Sequence, residues 1–328
     1  MHKRKFLKAM AIPAAGLFPT MASWAAEPWP QRPIKVLVPF QPGNTADIWA
    51  RSLGTALAAR LGQPFVVENM PGAGGSIGAN ALKRAAADGY TLGVFANTQA
   101  ITAHTFTKPP YVLTTDFLAI APLGSNASVL TVPADSPYRT AQELIAALKA
   151  KPGALSYGSG GNGSIAHLGM AQLLRATGTK ALHVPYKGSL DIVSAQLSGQ
   201  TQFGMPVLGS AVAFIKDGRL RALAVTGGKR SPLVPDVPTL MEALPPGFQL
   251  DSWAGVFAPA GTPTSIVERL HKEITAILKS GAMDELAKAM GSDVNTTASA
   301  ADFQRFVTAE NKRYGELVEA VGVKVDGR

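Results

Sequence analysis

This chain of 328 residues contains no cysteine, and only 16% of it is charged and 7% aromatic. Without cysteine it has no disulfide, no thiolate metal site and no thiol nucleophile. About 300 residues bury enough apolar surface to fold without such staples, and the length suits two domains better than one. Long apolar runs are missing too. The first apolar stretch, at 9–17, is broken by Pro13 and Gly16 and followed by Pro19, whereas a membrane span needs roughly 18 or more apolar residues. No polybasic run follows residue 8, so nucleic acid is a poor partner. Only five histidines occur, one of them at position 2. The acidic residues show no metal-ligand spacing, and H-E-x-x-H and G-K-[ST] are absent. The chain is therefore expected to be no enzyme and to need neither cofactor nor metal.

The N-terminus carries Lys3, Arg4, Lys5 and Lys8 before the apolar stretch, and Ser23-Trp24-Ala25 offers small residues where a signal peptidase reads. Residues 1–25 thus read as an export signal toward a bacterial periplasm. The run from Lys3 to Lys8 is similar to a twin-arginine signal whose first arginine is lysine, so that route and the general secretory route both stay open. Without these four basic residues the net charge falls from +9 to +5. The remaining excess favours anionic solutes only weakly.

From Trp29 onward the chain alternates strand and helix patterns. A β-branched run from Ile34 to Val38 breaks at Pro39, passes through Pro42-Gly43-Asn44, and enters a helical pattern with Ile48, Trp49, Leu53, Leu57 and Leu61 on one face. Such a helix start offers unpaired N–H groups and the positive end of a dipole to an anion. Similar glycine turns recur at 68–78 and 157–167. The pattern predicts strands at 34–40, 65–69 and 91–97, with helices at 45–61 and 76–87. Two apolar runs, 118–123 and 128–132, read as a crossing into a second unit. That unit repeats the alternation, with helices at 141–149, 164–177, 190–198 and 210–217 and strands at 154–158, 181–185, 201–205 and 220–226. Pro-rich loops at 231–238 and 245–246 bracket a short helix and precede a strand at 252–259. Helices at 264–279, 283–290 and 300–321 finish the chain, the last opened by the capping sequence Ser299-Ala-Ala-Asp302. Strands separated by helices imply parallel sheets whose ligands sit beyond the strands' carboxyl ends. An embedded second unit implies two lobes: 28–124 with 226–328, and 125–225, the return crossing lying between about 205 and 252.

The turns supply the candidate site. Asp47 lies three residues after Asn44 and four before Arg51, which a cap and a helix ion pair of roughly 0.2–0.5 kcal/mol explain. The amides of Gly43, Asn44, Thr45 and Ala46 are better ligand contacts, with Phe40 and Asp47 completing the first-turn set. In the third turn Gly158-Ser159-Gly160-Gly161-Asn162-Gly163 matches G-x-G-x-x-G. A dinucleotide fold places an acid about 20 residues on, yet none follows until Asp191. Ser159, Gly160, Gly161, Gly163 and Ser164 instead suit a compact carboxylate, although Ser164 is equally an ordinary N-cap. His167 reads first as a packed or capping residue and second as a contact. Asn97 and Thr98 end one strand on the ligand side. Tyr186 and Lys187 end another, Tyr186 as a cleft wall and Lys187 as solvated or facing a second carboxylate. Met205 and Trp253 read as core or lining, and the second turn as a helix start that need hold no solute.

Several of these segments together resemble a known family. Trp29-Pro-Gln-Arg-Pro-Ile, Val38-Pro-Phe with Pro42-Gly43 and Asp47, and Asn69-Met-Pro-Gly-Ala-Gly-Gly-Ser-Ile-Gly78 carry the resemblance in the first part. Ala87-Asp-Gly-Tyr-Thr-Leu, Tyr157-Gly-Ser-Gly-Gly, His183-Val-Pro-Tyr-Lys-Gly188, Leu220-Arg-Ala-Leu-Ala-Val-Thr226, Pro235-Asp-Val-Pro-Thr-Leu and Gly255-Val-Phe-Ala-Pro-Ala-Gly-Thr-Pro263 continue it. The chain resembles the Bug-type, or TctC, receptors, the periplasmic solute-binding components of tripartite tricarboxylate transporters. The resemblance implies a two-lobed type II periplasmic binding protein of α/β class, each lobe a largely parallel sheet flanked by helices, with the ligand cleft between them. It further implies a monomer whose first and third turns hold a carboxylate through amides and ordered waters, and delivery to membrane transporter subunits. One position departs: the family usually has a second glycine where this chain has Asn44. Asparagine tolerates positive φ, and its side chain adds a candidate ligand contact. The identity of the acid stays open. Two other classes remain as alternatives, an exported α/β enzyme acting on a carboxylated substrate and a ligand-sensing receptor for a signalling partner.

Overall fold

The computed structural model describes residues 29–244 and 250–322. The export signal expected at 1–25 and the Pro245-Pro246 loop lie outside the described residues. In order come β1 (Ile34–Val38), α1 (Thr45–Leu61), β2 (Phe65–Asn69), α2 (Ser76–Lys83), β3 (Thr91–Ala96) and α3 (Asn97–Thr105). Short α4 (Leu113–Asp116) then leads into the long β4 (Phe117–Ala127). The second unit holds β5 (Val129–Pro133), α5 (Ala141–Ala150), β6 (Ser156–Ser159), α6 (Ile165–Thr177) and β7 (Leu182–Pro185). It continues with α7 (Ser189–Leu197), β8 (Phe203–Gly204), α8 (Leu208–Lys216) and β9 (Leu220–Val225). The chain returns through α9 (Leu240–Ala243) to β10 (Asp251–Pro259), α10 (Thr264–Lys279), α11 (Asp284–Ala289), β11 (Ser292–Val294) and α12 (Ala300–Val321).

Two sheets result, ordered β11-β4-β10-β3-β1-β2 and β7-β6-β8-β5-β9. Both are mixed rather than largely parallel. β1 pairs in parallel with β2 and β3, and β6 with β7 and β8, as strand–helix–strand connections require. The strands that carry the chain between lobes, β4, β5, β9 and β10, pair antiparallel. Those crossings are laced together at their midpoint. Thr226 N–H donates to the Ser128 carbonyl at 2.9 Å, and Ser128 N–H donates to Thr226 Oγ1 at 2.8 Å.

Local physics explains the elements that aim at the cleft. In α1, Trp49, Ala50, Leu53, Leu57 and Leu61 are buried on one face, and Gly62, at φ 71°, ends the helix by donating to Ala58 O. Ser299 caps α12 by accepting Asp302 N–H at 3.1 Å. Leu168 and Met170 on α6, Leu250 before β10, and Tyr314 and Val318 on α12 belong to one buried cluster. A single core therefore reaches both lobes on the side of α6 and α12.

Sequence and structure differ most at Asn97. The strand expected to end there stops at Ala96, and Asn97 opens α3. Gln99 Oε1 accepts Ala96 N–H at 2.9 Å, which turns the chain into the helix. The segment Asn-Thr-Gln-Ala-Ile-Thr-Ala-His-Thr has no apolar stripe, because Asn97, Gln99, Ala100, Ile101, Thr102 and Thr105 are all buried. α2 also ends four residues before the expected position 87, and β11 carried no sequence signal.

Candidate functional site

Each glycine turn sits at the carboxyl end of a strand, and the helices that follow converge on a cavity of about 410 Å³ between the lobes. Thr45 and Ala46 at the start of α1 line it, as do Gly72, Gly74 and Gly75 ahead of α2. Asn97 and Thr98 open α3 on the same side. From the second lobe come Gly160, Ser164, Ile165 and Ala166 at α6, and Lys187, Gly188 and Ser189 at α7. Five helix starts thus face one space, each worth about 0.3–1 kcal/mol toward an anion and more when partly buried. Among the described lining residues Lys187 is the only ionisable one. The helix starts and this lysine all favour an anion there.

The first turn is a closed unit around a buried charge. Gly43 has φ 80°, which favours glycine, and its N–H donates to Asp47 Oδ2 at 2.9 Å. Asp47 also accepts from Asn69 Nδ2 at 2.9 Å and from Arg51 Nε at 3.1 Å. Burial pushes the Asp47 carboxyl up, but Arg51, the Gly43 amide and Asn69 outweigh it and hold the group below the ordinary aspartate value. Asp47 is therefore fully engaged within the protein and does not line the cavity. Asn44 caps the helix, its Oδ1 accepting Ala46 N–H at 2.9 Å. Its φ is −69°, so the left-handed position in this turn falls on Gly43 and not on Asn44. The amides of Gly43, Asn44 and Ala46 all have acceptors within the turn. Thr45 N–H has none among the described hydrogen bonds, and Phe40 and Asn44 flank it in the cavity wall.

The third turn repeats this arrangement with different chemistry. Gly163, at φ 74°, donates its N–H to His167 Nδ1 at 3.1 Å, four residues on. Ser164 caps α6 by accepting His167 N–H at 3.2 Å. Gly161 N–H goes to Ser159 Oγ at 3.1 Å, and Ser164 N–H to Gly161 O at 3.1 Å. Of the residues expected to touch a ligand here, Gly160 and Ser164 line the cavity, while Ser159, Gly161, Gly163 and His167 stand behind it. The open donors are Ile165 and Ala166 N–H, which have no intrahelical acceptor by position and none among the described hydrogen bonds. Sequence reasoning missed this pair, although naming Ser164 as an N-cap already makes them the first two residues of the helix.

The remaining candidates separate cleanly. Asn97 is buried and lines the cavity, but its side chain serves an internal chain of bonds. Ser252 Oγ donates to Asn97 Oδ1 at 3.0 Å, and Asn97 Nδ2 donates to Tyr314 Oη at 3.2 Å. Tyr186 turns away: its hydroxyl donates to Gln200 at 3.2 Å, and it lines a small hollow with Asp191 and Ser194. Met205 is wholly buried in the core, its sulfur beside Gly169. Lys187 and Trp253 do line the cleft, and so does the second turn, which the sequence reading had treated as a bare helix start. Its missed signal was Gly72, Gly74 and Gly75, three glycines in four residues, all at positive φ.

Two larger hollows, of about 770 and about 890 Å³, flank the crossing strands. Each mixes acids and bases, Lys229 with Asp293 in one and Arg313 with Glu310 in the other, and neither gathers helix starts. Among the described residues no group of three or more His, Asp or Glu is placed to hold a metal ion.

Comparison with known proteins agrees with this geometry. BugT of Bordetella pertussis is 34% identical over 303 residues, covering 92% of this chain and 93% of that protein. The R. palustris protein Rpa4515, solved with adipate, superposes with a TM-score of 0.81 at 32% identity, covering 90% of this chain and 98% of that one. MatC from Rhodopseudomonas palustris, solved with bound malate, gives 0.78 at 30% identity over 88% of this chain and 100% of that one. Residues 49–323 match the family described as the tripartite tricarboxylate transporter family receptor. With its two lobes, its cleft of helix starts and these relatives, the chain belongs to that receptor family.

Proposed function

We propose that this protein is a periplasmic receptor that captures a small carboxylate between its lobes and delivers it to the membrane subunits of a tripartite tricarboxylate-type transporter. The observation that carries this reading is the set of helix starts from both lobes facing one cleft that has no acidic side chain among its described lining residues. One carboxylate spans Thr45 N–H on the first lobe and Ile165 and Ala166 N–H on the second. Lys187 stands where a second carboxylate would reach. Only the closed arrangement satisfies both sets of donors, and that difference in affinity shifts open to closed. Charge-assisted hydrogen bonds of about 1.5–3 kcal/mol each, with apolar burial, reach the roughly −8 kcal/mol of micromolar binding after association costs. The relatives solved with adipate and malate support an acid of four to six carbons as the first to try.

Turnover is not part of this reading. A Ser–His contact exists, Ser159 Oγ to His183 at 2.6 Å, but Ser159 is wholly buried and its oxygen already serves Gly161. Export through the leader at 1–25 completes the proposal. Thermal-shift and calorimetric titration with adipate, malate, benzoate and the uncharged diamide of adipate is the test. At least one acid should bind, the diamide should not, and the solute should be recovered unchanged. Equal binding of acid and diamide, or no response to any acid, would sink it.

A further inference from the structure

The third turn is held by three side chains that do not reach the cleft. His167 Nδ1 accepts Gly163 N–H at 3.1 Å, which an imidazole does only while that nitrogen is unprotonated. The proton of the neutral ring then sits on Nε2. The His167 ring lies flat on His183, with centroids 4.0 Å apart and planes 5° apart. His183 stacks on Tyr157 on its other side at 5.0 Å, and its Nε2 meets Ser159 Oγ at 2.6 Å. Ser159 in turn takes Gly161 N–H. Two glycine amides of one turn are therefore gripped by a stacked histidine pair and a buried hydroxyl.

We propose that His167, backed by His183 and Ser159, is the positioning residue of the third turn: as a neutral imidazole it fixes Gly163 so that Ile165 and Ala166 N–H face the cleft. The first turn supports this by analogy within the molecule, since Asp47 grips Gly43 across the same four-residue spacing. A carboxylate would place negative charge beneath the open amides of α6, and a neutral acceptor does the same mechanical job without it. The titratable groups in the described ring contacts are His183 on β7 and, beyond it, Tyr157 on β6. Burial, with the neighbouring His183 second, holds His167 down to about 4, and burial lowers His183 as well. Burial also drives Tyr157 up to about 12, so both aromatic partners stay uncharged near neutrality.

The ligand readout of this proposal rests on the carboxylate-receptor reading, whereas its structural readout does not. In the ¹⁵N-labelled protein, His167 should show an unprotonated Nδ1 and a protonated Nε2 at pH 7.5. Gly163 amide exchange should be at least tenfold faster in His167→Leu than in wild type and should return toward wild type in His167→Asn, whose Oδ1 replaces Nδ1. In titrations with adipate and malate, His167→Leu should weaken binding about tenfold, the size of one lost hydrogen bond, and His167→Asn should stay within about threefold. A protonated Nδ1, unchanged Gly163 exchange in the leucine variant, or equal loss of binding in both variants would overturn it. Should wild type bind neither acid, the receptor reading fails while the ring nitrogens and the exchange rates still decide the positioning role. Should the leucine variant not fold, the asparagine variant and the ring nitrogens decide it.

Discussion

The two lobes solve one problem twice and choose different acceptors. In each, a left-handed glycine precedes a capping residue, and a side chain four positions after the glycine accepts its N–H: Gly43, Asn44 and Asp47 in one lobe, Gly163, Ser164 and His167 in the other. The first acceptor is a charge held by Arg51 and Asn69, and the second is an uncharged ring held by stacking. An ionic clamp and a neutral one thus orient equivalent helix starts toward the same space. Their difference lies in what disturbs them, which is removal of a counter-charge on one side and acid on the other.

The harshest way to break this comparison is Asp47→Ala. It leaves Gly43, Asn69 and Arg51 without their shared acceptor, and it should lower unfolding free energy by about 3 kcal/mol in urea, the lower end for breaking a buried pair because Arg51 is half exposed. A loss below about 1 kcal/mol would mean that the ionic clamp is ornamental. The next effect separates the clamps by pH. His167 drops from 6.5 in the open chain to about 4 in the folded protein, so the unfolded state binds the extra proton. Stability contributed at this residue is complete above about pH 6.5 and is lost as pH falls toward 4, by about 2–3 kcal/mol. Asp47, held below its ordinary 3.8, keeps its contribution until pH falls further, through its lowered folded value. Denaturation curves of wild type and His167→Asn across pH 7 to 4 should diverge in that window, and parallel curves would refute the assignment.

Smaller effects sharpen the picture at the caps. Ser164→Ala should cost about 1 kcal/mol in thermal unfolding by removing the acceptor for His167 N–H. Asn44→Gly should cost only a few tenths, since glycine is itself a tolerated N-cap. It should alter preference across a carboxylate panel more than it alters stability, because Asn44 lines the cleft with its amide nitrogen uncommitted among the described hydrogen bonds. Identical preferences with and without the side chain would remove Asn44 from the ligand's surroundings.

How much of this was legible in the sequence depended on what kind of force set each feature. α1 and α12 could be bounded because a capping residue, a one-sided apolar stripe and a left-handed glycine stop agree there, and α10 because its apolar stripe starts just after Pro263. The two-lobed plan followed from strand–helix alternation interrupted by apolar crossings. α3 escaped because burial on several sides erases the stripe that marks a surface helix, and β11 escaped because three residues hold no pattern. The site was legible as turns and illegible as donors. Glycine runs show where backbone amides gather, but which of them stay open depends on side chains such as His167 and Asp47 reaching back to claim the others.

Trp253 has a place whose usefulness goes beyond binding. Its ring borders the ligand cleft on one side and the hollow beside α12 on the other, while its indole N–H donates to Glu310 at 3.2 Å. Trp49, by contrast, is wholly enclosed among α1 and its sheet. In the proposed receptor this sets one native emitter on the wall of the solute cleft and another, Trp49, away from it, so that a change in the colour or polarisation of the emission on adding an acid would report occupancy without any attached dye.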